Sequence, residues 1–169
     1  FFQSPAELEI VRDDIRNAIK VKLSELKIDK MTSNRVAIHI RRGDYISNSA
    51  AAKSHGFVGL KYYLDAIKII TSNIKEPIYD IYTDDINWVR ENIVPIIPAN
   101  IKSKEGLDSN IEFLNLMGYQ NFIIANSSFS WWAPWLNCYK DNSMVICPKN
   151  WYANKKECNL NKISGWHVI

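Results

Sequence analysis

The chain has 169 residues, 47% of them hydrophobic, and a formal net charge of +3, which suits one globular core burying about 70% of the unfolded surface. The basic excess is small and unclustered, so nucleic-acid binding by charge alone is not expected, while a small anionic ligand stays open. No apolar stretch approaches the roughly 20 residues of a membrane span, no signal peptide opens the chain, and Cys138, Cys147 and Cys158 lack metal or disulfide spacing, so a cytoplasmic setting is expected.

The opening "FFQSPAELEI" has no initiator Met and reads as the continuation of a larger protein. Within it "SPAE" at 4–7 is a capping box, and Leu8, Val11, Ile15 and Ala18 carry helical spacing, which predicts an amphipathic helix over 5–26. "RVAIHIRRGDYI" begins as a strand over 35–41, with Val36, Ile38 and Ile40 on one face and Ala37, His39 and Arg41 on the other. Residues 46–59 read as a long loop, a length that points to function. Leu60, Tyr63, Leu64 and Ile67 mark a helix, "PIYDIYT" (77–83) a strand, and "DDINWVRENI" (84–93) a short helix. After a Pro-rich connection at 95–98 and a poorly patterned segment, "SNIEFLNLMG" (109–118) reads as a capping box and helix ended by Gly118. "NFIIA" (121–125) is a strand, "NSSFSWWAPWLNC" turns into a helix that starts late or kinks at Pro134, and "SMVIC" (143–147) is a strand ended by Pro148. Strands alternating with helices predict an α/β fold, a Rossmann-like parallel sheet with helices on both faces.

Three strand ends are polar: His39 to Arg42, Thr83 to Asp85, and Asn126 to Ser128. In such a sheet ligands sit beyond the carboxyl ends of the strands, so these ends describe one crevice suited to phosphates and a polar ring. Arg41 and Arg42 repel each other and call for something negative. A surface pair bridged to Asp44 or to glutamates would answer that, and Arg42-Gly43-Asp44 as an adhesion tripeptide needs an exposed loop tip that a buried strand does not offer. A planar fork for a diphosphate answers it chemically, with Gly43 letting the backbone approach the ligand. Ser127, Ser128 or Ser130 caps a helix N-terminus, whose free N–H groups also suit an anion. Asp84 and Asp85 read either as helix caps or as acceptors for a guanine edge. His39 reads as a core histidine or as a contact to a purine, and Trp131, Trp132 and Trp135 read as packing residues.

"HIRRGDYI" (39–46), "YTDDINWVREN" (82–92) and "ANSSFSWWAPWL" (125–136), in that order, resemble the motifs of the bacterial α-1,2-fucosyltransferases, glycosyltransferase family 11. "HGFVGLKYYLDAI" (55–67), "CPKNWY" and the closing "SGWHVI" are similar to the same family. The resemblance implies the C-terminal, donor-binding domain of a GT-B enzyme, with 1–30 a connecting helix, 31–169 the GDP-fucose domain, and an N-terminal acceptor domain absent from this chain. Pro134 departs from the small residue expected there.

Carried over by position, the resemblance gives Arg41 and Arg42 to the diphosphate, His39 and Asp84 to the guanosine, and Ser127, Ser128, Phe129 and Ser130 to phosphate or fucose. It implies inverting transfer of L-fucose from GDP-β-L-fucose to the 2-hydroxyl of a galactose-containing glycan, without a metal or other cofactor, since no Asp-x-Asp motif is present. Arg41 would offset leaving-group charge. Asp44 and His55 are the candidates to take the acceptor's proton, and association with the inner membrane face is compatible with such a product. Independent catalysis by this chain alone does not follow, and a nucleotide-sugar-binding module without catalysis is the alternative.

Overall fold

The computed structural model describes residues 8–104, 106, 108–137, 143–154, 160 and 162–169, less the side chains of Asp44, Ser47 and Ala51. The capping box at 4–7, Cys138 and Cys158 lie outside the described residues. After a 3-10 turn at Glu9–Val11 comes helix α1 (Arg12–Glu25). Strand β1 (Arg35–Ile40) leads into two short helices, α2 (Gly43–Ser47) and α3 (Ser49–Ser54), then α4 (Leu60–Asn73). β2 (Ile78–Thr83), α5 (Ile86–Asn92), β3 (Ala99–Ile101), α6 (Ser109–Leu116), β4 (Asn121–Ile123), α7 (Ser128–Trp135), β5 (Val145–Cys147) and β6 (Trp166–Val168) complete the order.

All strands run parallel in the order β3-β2-β1-β4-β5-β6. This is the doubly wound order that binds nucleotides where the strand sequence reverses, here between β1 and β4. The two faces of β1 feed two cores. Val36, Ile38 and Ile40 pack with Tyr63, Ile67 and Ile70 of α4 and Val89 of α5. Ala37 packs on the opposite side with Leu23 of α1, Leu116 of α6, and Trp131 and Trp135 of α7. Helices therefore cover both faces, as the alternation of strand and helix predicts.

Residues 46–59 are not a continuous loop, because α2 and α3 occupy much of the segment. Asn48 caps α3, its Oδ1 accepting from the Ala50 N–H at 2.9 Å. Helix α6 is capped by Asp108, which accepts from Asn110 N–H at 2.7 Å, and not by a Ser109–Glu112 box. Gly118 does not end the helix in a left-handed conformation. It is a close-approach glycine, since a Cβ there would stand 2.9 Å from the Asp29 carbonyl oxygen and 3.3 Å from that of Asn115. Helix α7 neither starts late nor breaks at Pro134, which stands one residue before its end, where only the bond to the Ser130 carbonyl is forgone.

The tryptophans pack as read: Trp131 and Trp135 are fully buried and stacked, their centroids 5.6 Å apart. Beneath the site, Asp80 in the middle of β2 is fully buried and accepts from the Tyr119 hydroxyl and the Asn100 amide, both at 2.9 Å. It also ion-pairs with Arg35 and, at 3.6 Å, with Lys102, so β1, β2 and β3 share one buried charge.

Candidate active site

The carboxyl ends of β1, β2 and β4 open into a cavity of about 1160 Å³, large for a small-molecule site. Arg41, His39, Asp84, Ser127, Ser128, Phe129 and His55 all line it, so the polar strand ends converge on one crevice.

The two arginines part company at the end of β1. Arg41 reaches Asp84 Oδ2 at 3.2 Å and borders the cavity. Arg42 pairs with Asp85 Oδ2 at 3.1 Å, its guanidinium held 4.5 Å from the Phe57 ring centroid and 4.4 Å from that of Trp88. With 15% of its side chain exposed and no place on the cavity wall, Arg42 braces the loop after β1. The pair thus forms no common fork, and each guanidinium has its own carboxylate. The tripeptide Arg42-Gly43-Asp44 opens α2 with its arginine clamped, unlike an exposed adhesion loop. The Asp44 side chain lies outside the described residues.

Asp84 serves as an anchor for this corner. Its Oδ1 accepts from the Arg42 N–H at 2.8 Å and its Oδ2 from the Gly43 N–H at 3.0 Å, in addition to Arg41. Gly43 is needed for that approach, since a Cβ would sit 2.9 Å from Asp84 Oδ2. Its freedom serves a carboxylate of the protein itself. Asp85 caps α5 through the Trp88 N–H at 3.0 Å.

Opposite stands α7. Ser127 is its N-cap in extended conformation with no side-chain cap bond, so the first-turn N–H groups present partial positive charge at the cavity edge. Ser130 is turned inward, its hydroxyl donating to the carbonyls of Ala125 and Ser127 at 3.3 Å each, so it shapes the strand-to-helix turn and does not line the cavity. Phe129 places its ring 5.2 Å from His39 and 5.6 Å from Phe113. Burial, with Arg41 second, pushes the His39 imidazole down to about 3, so the ring is neutral and its Nδ1 has no protein partner.

Asn126 organises the third side. Its amide donates to the carbonyls of His55 (3.0 Å), Gly56 (3.1 Å) and Trp151 (3.1 Å), which leaves buried Oδ1 without a protein partner. His55 stacks on Tyr45 at 5.4 Å, and its buried Nδ1 is likewise unmatched. Buried acceptors and donors left open at a cavity wall suit a polar ligand.

Arg90, Lys104 and Glu112 also border the cavity and carried no signal as site residues: Arg90 lies within a short predicted helix, Lys104 in the poorly patterned segment, and Glu112 in the apparent capping box. Tyr45 and Asn126 stand inside quoted motifs, so their proximity to Arg41 and Ser127 was the available clue.

The model of the family described as glycosyl transferase family 11 matches residues 1–169. The chain belongs to this family. It is 34% identical over 140 residues, 82% of this chain and 48% of the relative, to the α-1,2-colitosyltransferase of Escherichia coli. It is 33% identical over 158 residues, 92% and 51% of the two chains, to the O-antigen biosynthesis glycosyltransferase WbnK of Escherichia coli. Galactoside alpha-(1,2)-fucosyltransferase 1 of Bos taurus is 27% identical over 132 residues, 75% of this chain and 36% of that protein. This family 11 chain therefore spans about half the length of the bacterial relatives it matches. Among its described residues no helix is long and apolar enough to cross a membrane.

Proposed function

We propose that this chain is the donor-binding half of a GT-B, inverting family 11 glycosyltransferase, taking L-fucose from GDP-β-L-fucose to the 2-hydroxyl of a galactoside in surface-glycan synthesis. One observation carries the reading: Arg41 and the N-terminus of α7 face the same cavity at the β1–β4 reversal. That is where a doubly wound sheet holds a nucleotide's phosphates.

In the reaction the acceptor oxygen attacks the anomeric carbon as the carbon–oxygen bond to the β-phosphate breaks. The electron pair goes to that phosphate oxygen, which gains negative charge as the sugar becomes oxocarbenium-like. Arg41 and the N–H groups of Ser128 and Phe129 would meet this charge with dipoles already in place, an arrangement worth several kcal/mol of barrier. No divalent ion is required by this scheme. The acceptor's proton passes to a base at the sugar end, for which Asp44 and His55 are this chain's candidates. The relatives' names differ in the sugar transferred, fucosyl in one and colitosyl in another, so donor identity is the finer point to establish.

Calorimetric titration with GDP and GDP-fucose, with and without EDTA, joined to a transfer assay on the full-length protein, tests the proposal. Binding and transfer that survive EDTA are expected. Binding without any transfer would leave only a nucleotide-sugar module, and no binding at all would remove the donor reading.

A further inference from the structure

Among the described residues three carboxylates border the cavity, Asp84, Asp85 and Glu112. Two are already engaged. Asp84 accepts from the N–H groups of Arg42 and Gly43 and pairs with Arg41, while Asp85 pairs with Arg42 and caps α5. Glu112 differs: among the described residues its carboxylate makes no hydrogen bond and no ion pair. The reason is local. Asp108 caps α6, so Glu112 falls one position beyond the third helical residue and is released from the capping duty that "SNIE" suggests. It is half-buried on the cavity wall next in sequence to Phe113, whose ring packs against Phe129, itself a wall residue.

Resting on the donor reading above, we infer that Glu112, and not Asp84, reads the base of the nucleotide, accepting from the N1–H and N2–H groups of guanine. Guanine is the common nucleobase whose Watson–Crick edge offers two adjacent donors. A carboxylate accepts both through its two oxygens. Adenine would set its N1 lone pair against that charge, and uracil offers a single N–H between two carbonyls. Phe129, on the wall of the same cavity, offers an aromatic surface that suits the flat face of a purine. His39, neutral and facing Phe129, is left to contact ribose or phosphate through its open Nδ1. The assignment makes Glu112 a specificity-determining residue and Asp84 a positioning residue that holds Arg41 and the turn after β1.

Inosine diphosphate separates these roles, because it keeps N1–H and lacks the N2 amino group. The full-length protein and its Glu112→Gln variant are titrated with GDP and with IDP, with thermal melting as the check on folding. The wild type should prefer GDP, and Glu112→Gln should weaken GDP by at least about tenfold while collapsing the GDP-over-IDP preference. Should the glutamine variant melt early, Glu112→Asp keeps the charge while withdrawing it by one methylene, and the same narrowing is expected. An Asp84→Asn variant should instead weaken both nucleotides by one common factor. GDP binding unchanged in Glu112→Gln, or both nucleotides weakened equally, would overturn the inference alone. A wild type that binds neither nucleotide would remove the donor reading and this inference together.

Discussion

Arg41 and Arg42 are chemically identical neighbours with different fates, and the difference is set by what stands within reach of each. Arg42 is enclosed by Phe57, Trp88 and Asp85, so Arg42→Ala should lower folding stability by about 1–3 kcal/mol, read from denaturant unfolding. Arg41 lies on the cavity wall, and Arg41→Ala should leave stability closer to wild type and cut turnover by at least about a hundredfold in the full-length enzyme. His39 makes the third residue-level prediction. Its imidazole is held neutral in the folded state, down at about 3, while the unfolded chain protonates it at the ordinary value of about 6.5. Between those values the unfolded state binds more protons. The stabilising contribution is therefore complete above about pH 6.5 and lost as pH falls towards 3, with a slope of up to about 1.4 kcal/mol per pH unit. Unfolding curves measured across that window should show the loss, and His39→Gln should flatten it.

At the scale of elements, glycine positions fix how closely segments approach. Gly118 sits where the turn after α6 meets the segment before β1, donating no side chain but accepting the Met31 N–H at its carbonyl at 2.8 Å. Gly118→Ala should cost about 1–3 kcal/mol in equilibrium unfolding, since the Cβ would press on backbone oxygens that cannot rotate away. The elements legible in the sequence were those with strong apolar periodicity: β1, β2, α4 and α7 each bury one face or both. The missed ones lack that signal for physical reasons. β3 and β6 are three-residue strands at the two sheet edges, with no more than half-buried side chains, so neither needs an apolar pattern. α2 and α3 are short, the described residues of α3 are mostly exposed, and only Asn48 ahead of the alanines hinted at a helix start. Site residues at motif ends were legible because charge after a buried strand is costly without a purpose. Glu112 was not, because its apparent capping role concealed it; Arg42 and Ser130 read as ligand contacts because sequence does not tell which way a side chain turns.

On the scale of the whole molecule, the strand order and the buried charge under the sheet are one construction. Asp80 joins β1, β2, β3 and the turn at Tyr119, so the polar ends of those strands are held in register above it. Removing it strands Arg35 and Lys102, both partly exposed, so Asp80→Ala should cost about 3 kcal/mol, the lower end for a broken buried pair, by thermal or denaturant unfolding. The sheet places Arg41 and α7 on opposite sides of the reversal point, and the proposed chemistry depends on both meeting one phosphate group. Paired titrations of GDP and guanosine against wild type and Arg41→Ala test that dependence most directly. Arg41→Ala should bind GDP at least about tenfold more weakly while holding guanosine within about twofold. Equal GDP affinity in the two proteins would contradict it.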